Sequence, residues 1–181
     1  MIKFYPELRR FGMESLDPDT ISLLTKRVYD MAGLMPKVSV YINEKVVKIN
    51  SFMEYVNMYF DTGSEAPRVR DKETDNDRWQ VVISLSDGEP RNVSFVNSVC
   101  TIKGGTHVNY IADQLVEKII EKIKKKDKNL SIKPHHIKSH LWIFVNALIE
   151  NPTFDSQTKE TLTLKPAKFG SECILSDKMI K

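Results

Sequence analysis

Val93-Ser94-Phe95-Val96-Asn97-Ser98-Val99-Cys100-Thr101-Ile102-Lys103-Gly104-Gly105-Thr106-His107-Val108 is the stretch on which the fold turns. Residues 93–99 read as a strand, and Lys103-Gly104-Gly105-Thr106 breaks that pattern. From Thr106 onward Val108, Ile111, Ala112, Leu115, Ile119 and Ile123 recur at helical spacing, for about five turns. A strand that passes through a Gly-Gly turn into the longest helix of the chain points to an α/β class.

Working outward, Trp79, Val81, Ile83 and Leu85 alternate with Gln80, Val82 and Ser84 until Asp87-Gly88, so an antiparallel pair with the 93–99 strand is expected. After Pro134, Leu141-Trp142-Ile143-Phe144-Val145 and Ala147-Leu148-Ile149 are interrupted only by Asn146 and closed by Asn151-Pro152. Such a nearly continuous apolar run fits a strand covered on both faces. Toward the N-terminus, Asp17-Pro18 reads as an N-cap followed by Pro at the first helical position. Ile21, Leu24, Val28 and Met31 share one face of that helix, and Gly33 is read as its stop. Residues 38–42 and 45–49 flank Asn43-Glu44 as the arms of a short hairpin. Ser51 and Glu54 form a capping box for a brief helix through Phe52, Tyr55, Val56 and Tyr59. Residues 61–77 are polar and charged and read as a surface loop. The C-terminal part is irregular until Ser176, read as the cap of a helix cut short at Lys181, which points to an excised piece of a longer chain.

The 181 residues carry 27 Lys+Arg against 24 Asp+Glu, a net charge of +3, and 41% hydrophobic residues. This is ordinary globular composition, long enough to bury roughly 70% of the unfolded surface, and one domain is expected. Cys100 and Cys173 stand far apart, outside any C-x-x-C spacing, which argues against a zinc cluster or a disulfide framework and fits a reducing compartment. No apolar stretch is long enough to span a bilayer, and the N-terminus lacks the apolar core of a signal peptide. Charge is uneven: between Glu117 and His140 eight lysines face three acidic residues, +5 locally, leaving −2 on the rest. One basic stretch on a near-neutral chain suggests a local polyanion contact.

Four features could carry chemistry. Lys103-Gly104-Gly105-Thr106-His107 offers glycines at a helix start, but lacks the full spacing of a phosphate loop. A tight turn with Thr106 as N-cap is the favoured reading. His135, His136 and His140 cluster in sequence without further ligands to complete a metal shell, and His107 has no evident nucleophile partner. The first three are read as solvated, and His107 as making a structural hydrogen bond. Lys124-Lys125-Lys126-Asp127-Lys128 is either a solvated helix end favoured by the macrodipole or a contact to a phosphate backbone. With no interleaved aromatic residues, it does not indicate stacking on single-stranded bases. Finally, Gln157 and Lys159 stand two apart after the apolar strand, so in an extended segment they point the same way and offer an amide and an ammonium to one ligand such as a terminal phosphate. By spacing alone an ordinary polar loop explains them as well.

The stretch Ser94 to His107, together with Asn151-Pro152-Thr153-Phe154-Asp155-Ser156-Gln157-Thr158-Lys159-Glu160, resembles the transducer domain of type II DNA topoisomerases. The similarity extends to residues 27–33, 52–59 and 169–171, and Val108-Asn109-Tyr110-Ile111-Ala112-Asp113-Gln114 follows the eukaryotic form more than the gyrase B subunit. Where that form carries glycines after the lysines, this sequence has Asn129-Leu130-Ser131.

The resemblance implies a mixed four-stranded sheet with helices on one face and a left-handed β-α-β crossover, the ribosomal-protein-like second-domain fold of the GHKL ATPases. It implies that Gln157 and Lys159 contact the γ-phosphate of ATP and that Lys124, Lys125, Lys126 and Lys128 contact the DNA backbone. Residues 1–181 are then a single transducer domain, lacking the N-terminal ATPase domain and the C-terminal cleavage region. No catalytic residue and no metal ligand is expected in this piece, and ATP and Mg2+ belong to the intact enzyme. Double-stranded DNA, the ATPase domain of the same chain and a second copy in a homodimer are the implied partners, with no membrane and a nuclear location. The alternatives are a free-standing basic nucleic-acid-binding module of the same fold, which would not need the Gln-Thr-Lys loop, or a dimerisation piece with no ligand.

Overall fold

The structure, a computed structural model, describes residues 2–70, 77–127 and 130–180. It divides into two compact units, residues 1–55 and 56–181.

In the first unit α1 runs Pro18–Leu34, and the Asp17 side chain accepts from the Thr20 N–H at 2.6 Å, as the sequence predicts. Gly33 does not end this helix. It is buried inside the last turn, where a Cβ would meet the Tyr55 Cβ at 2.5 Å, so the glycine provides close approach rather than a stop. The predicted apolar face is only partly covered, since Ile21 and Leu24 are 50% and 52% exposed. What the helix buries instead is Asp30, whose carboxylate accepts from Lys26 Nζ at 2.7 Å, Arg27 at 3.2 Å and the Tyr55 hydroxyl at 2.6 Å. A buried carboxylate with this many donors is the satisfied form of an otherwise costly burial. β1 (Tyr41–Ile42) and β2 (Lys45–Val46) form the expected hairpin, with Asn43 and Glu44 at φ 47° and 65°, the twist a two-residue turn requires. The capping box forms at the start of α2 (Phe52–Asn57): Glu54 N–H donates to Ser51 Oγ at 3.1 Å, and Glu54 Oε2 accepts from Asn50 N–H at 2.8 Å.

The second unit is built on a mixed sheet. β3 (Val69–Arg70), β4 (Trp79–Leu85), β5 (Arg91–Val96), β6 (Val99–Cys100) and β7 (Leu141–Ala147) lie in the order β3-β4-β7-β5-β6. The sheet thus has five strands rather than four, because short edge strands add to the three long ones. β3 arises inside the segment read as a surface loop, of which residues 71–76 lie outside the described residues. The expected β4–β5 antiparallel pair is not formed. β7 inserts between them, antiparallel to β4 from Trp79↔Ala147 to Leu85↔Leu141 and parallel to β5 from Arg91↔Trp142 to Val96↔Ala147. A parallel β5–β7 pair needs a long crossover, and α3 (Thr106–Lys126) supplies it, followed by the short α4 (Pro134–Lys138).

Alternation along the strands sorts the two faces. Trp79, Val81, Ile83, Ile143, Val145 and Ala147 pack with Ile111, Ala112 and Leu115 of α3. On the opposite face Trp142 and Phe144 meet Tyr59 and Phe60, with centroids 5.0–6.1 Å apart. β7 is therefore covered on both faces, as its continuous apolar run predicts. The C-terminal segment lies along α3: the Gln114 side chain donates to Cys173 O at 2.9 Å and accepts from Leu175 N–H at 3.0 Å. At its end, Asp177–Ile180 forms a single 3-10 turn.

Candidate functional site

The two motifs singled out in the sequence come together. β7 leaves the sheet under the control of Asn97, whose side-chain amide donates to Ile149 O and accepts from Ile149 N–H, both at 2.9 Å. The chain then goes out and back. Thr163 N–H donates to Thr153 O at 2.9 Å, Phe154 and Leu162 form an antiparallel bridge, and Asp155 Oδ1 accepts from Thr161 N–H at 3.1 Å. The tip is a turn in which Lys159 N–H donates to Ser156 O at 3.1 Å, with Lys159 at φ 58°. Gln157 and Lys159 are both exposed at this tip. The segment is not extended, so the same-side argument drawn from their two-residue spacing does not apply: a left-handed residue breaks the alternation on which it rests. Lys159 Nζ lies 5.8 Å from the Phe154 ring centroid and has no carboxylate partner among the described residues.

The returning arm docks on the Gly-Gly turn. Leu162 N–H donates to Gly104 O at 3.1 Å and Thr106 N–H donates to Leu162 O at 3.0 Å, a parallel bridge around Gly105. Gly105 sits at φ 134°, and a Cβ there would lie 2.5 Å from Leu162 N, so no side chain fits. Lys103 N–H donates to Glu160 O at 3.0 Å, and Lys103 Nζ pairs with Glu160 at 2.6 Å. Hydrogen-bonded to that carboxylate and attracted by its charge, the Lys103 ammonium is held above the ordinary lysine value. Thr106 is not the N-cap. Gly105 occupies that position, and the Thr106 hydroxyl donates instead to Leu164 O at 2.6 Å. With its first helical N–H donated to Leu162 O, the α3 start is a seat for the loop.

Behind the seat His107 is fully buried, its Nε2 3.2 Å from Thr101 Oγ1, which itself exchanges hydrogen bonds with Ser94. Burial pushes its pKa down to about 3, so the imidazole is neutral near pH 7, and its role is the structural hydrogen bond expected of it. His135, His136 and His140 are exposed, and among the described residues no three His, Cys, Asp or Glu side chains group as metal ligands.

Toward the far end of α3 six of the eight lysines separate into two populations. Lys118 pairs with Asp177, Lys122 donates to Ile180 O, and Lys138 pairs with Asp113 at 2.6 Å. The Lys118 hydrogen bond and charge, with Lys125 nearby, hold the Asp177 carboxyl below the usual carboxylate range. Lys124, Lys125 and Lys126 are exposed on the last turn, with no close ion pair among the described residues. Lys128 lies outside the described residues. The contacts that Thr106, Glu160, Leu162 and Gln114 make are not foreseen by the sequence, which marks Thr106 only as an N-cap. The only hint of the seat was the second glycine, where one would have served a turn.

A mixed sheet whose central strand is reached through a helical crossover, with a loop pinned to the start of that helix, defines an α/β domain of the two-layer kind. The DNA gyrase B family model matches residues 41–181, and the chain belongs to that family. Within it, this chain is homologous to eukaryotic type II topoisomerases. It is 49% identical to DNA topoisomerase 2 of Arabidopsis thaliana over 185 residues, covering 99% of this chain and 13% of that protein. The ATPase and transducer domains of DNA topoisomerase II from Balamuthia mandrillaris match with a TM-score of 0.88 at 42% identity, over 97% of this chain and 44% of that one. The ATPase region of Saccharomyces cerevisiae topoisomerase II matches with a TM-score of 0.85 at 44% identity, over the same shares. The chain therefore spans 11–13% of the length of the curated relatives it matches. Among the described residues no helix is long and apolar enough to cross a membrane.

Proposed function

We propose that residues 1–181 are the transducer domain of an ATP-dependent type II DNA topoisomerase, coupling the nucleotide state of an ATPase domain in the same chain to DNA strand passage. In this reading Gln157 and Lys159 contact the γ-phosphate, and Lys124, Lys125, Lys126 and Lys128 contact the DNA backbone. The carrying observation is the exposed Lys159 at the tip of a loop whose base is fixed by five hydrogen bonds and ion pairs to Lys103, Gly104 and Thr106. A fixed base with a free cationic tip suits a group that must meet a charge held by another domain and report its loss. Lysine supplies a point charge for a terminal phosphate and Gln157 an amide donor beside it. The intact enzyme acts as a nuclear homodimer on double-stranded DNA, with ATP and Mg2+ held by the ATPase domain. On this reading the isolated chain neither hydrolyses ATP nor cleaves DNA.

The test is the full-length enzyme with Gln157→Ala or Lys159→Ala. Each variant should lose ATP turnover and strand passage together, and normal values of both in both variants would remove the assignment.

A further inference from the structure

We infer that Thr106 is a positioning residue for the nucleotide-sensing loop: through one hydroxyl it sets where the returning arm of that loop lies on α3. This rests on the reading of Gln157 and Lys159 as nucleotide contacts and extends it to a residue that touches no nucleotide.

The Thr106 hydroxyl leaves its own helix to make this contact. The cap position of α3 admits no side chain, because a Cβ at Gly105 would lie 2.5 Å from Leu162 N. Here Gly105, without a side chain, occupies the cap position, and the Thr106 hydroxyl turns away from its helix to donate to Leu164 O at 2.6 Å. Nothing in α3 gains from that bond; the loop does. What it gains is a third anchor on the arm that carries Lys159. Backbone bonds hold Leu162 on both sides, and Leu164 is held only through Thr106 among these anchors. The Lys103–Glu160 pair adds little by comparison, since Lys103 is 66% exposed and exposed pairs are weak.

The experiment uses the full-length enzyme with Thr106→Val, which keeps the shape and removes the hydroxyl, Thr106→Ser, which keeps the hydroxyl, and Lys159→Ala. Affinities for ADP and for a non-hydrolysable ATP analogue are measured beside ATP turnover. Loss of one such hydrogen bond should weaken analogue binding and turnover by about fivefold in Thr106→Val. ADP, which has no γ-phosphate, should bind unchanged, and Thr106→Ser should behave as the parent enzyme. If Lys159→Ala is impaired while Thr106→Val is normal, the positioning role is wrong and the nucleotide reading stands. Equal weakening of ADP and the analogue, or no rescue by Thr106→Ser, also overturns it, since a general structural defect would produce both. A normal Lys159→Ala overturns the nucleotide reading and this inference with it.

Discussion

Gly105 and Leu162 lie backbone against backbone, with Leu162 N–H donating to Gly104 O at 3.1 Å and Leu162 O accepting from Thr106 N–H at 3.0 Å. This contact converts two motifs that are separate in sequence into one unit. It also fixes the loop to α3, the helix whose other end carries Lys124, Lys125 and Lys126.

Gly105→Ala should therefore be costly and Gly104→Ala mild. At Gly105 the added Cβ would lie 2.5 Å from backbone that cannot turn aside, at φ 134°. At Gly104 the nearest atoms are 3.4 Å away and only the left-handed φ of 74° counts against Ala. About 3 kcal/mol is expected for the first and about 1–2 kcal/mol for the second. Urea unfolding with unchanged m-values checks this, and equal midpoints for the two variants would show that the Leu162 contact does not constrain the site.

His107 should make stability pH-dependent. Its folded pKa of about 3 lies below the ordinary 6.5 because burial disfavours the charged ring. The unfolded chain then binds the extra proton, so this contribution is complete above pH 6.5 and is lost as pH falls toward 3. The slope reaches about 1.4 kcal/mol per pH unit inside that window. Between pH 5 and 6.5, above most carboxylate titrations, His107→Gln should flatten the profile. A parent protein with no slope there would mean the ring is accessible to protons in the folded state.

Local signals were legible in the sequence, and the choice of partners was not. Asp17, the Asn43-Glu44 turn, the Ser51/Glu54 box and the periods of α3, β4 and β7 each act within a few residues, and all reappear in the structure. Hairpins join neighbours, so the sequence pairs β5 with β4, yet the most apolar strand, β7, takes the centre between them. Gly33 and Thr106 read in the sequence as a helix stop and an N-cap, the roles their residue types usually play at helix ends. Tertiary contacts with Tyr55 and Leu164 override both. Within the candidate site, spacing and resemblance single out Gln157 and Lys159, while the seat is invisible in the sequence because three of its five contacts join backbone groups, which carry no sequence signature, and the other two join residues more than fifty apart.

The lysines should divide functionally as they divide structurally. Lys124, Lys125 and Lys126 are exposed without a close ion pair among the described residues, whereas Lys118 and Lys122 are engaged by Asp177 and Ile180 O. Each phosphate contact contributes a slope of about 0.9 in log K against log salt. Changing all three of the first group to Ala should reduce the slope of DNA binding by about 2–3, and changing Lys118 and Lys122 should leave it nearly unaltered. Equal effects from the two sets would show that the internal pairs open on DNA.

Gln114 should govern access to Cys173. Its amide spans the main chain of the C-terminal segment, donating to Cys173 O at 2.9 Å and accepting from Leu175 N–H at 3.0 Å, as a neighbouring strand would. Gln114→Leu keeps an apolar side chain on α3 but strands both groups, at about 1–3 kcal/mol each if they remain buried. The segment avoids that cost by opening locally, and Cys173, 1% exposed in the closed form, then meets solvent. Thiol labelling separates this from global unfolding: Cys100, already partly exposed, reacts in both proteins, while Cys173 should react about 30-fold faster in the variant for 2 kcal/mol of lost closure. If Cys173 labels at the parent rate while the unfolding midpoint drops, the amide stabilises the whole unit rather than clamping this segment. If neither changes, the clamp carries no energy, and packing of Leu175 and Met179 on α3 is what holds the segment down.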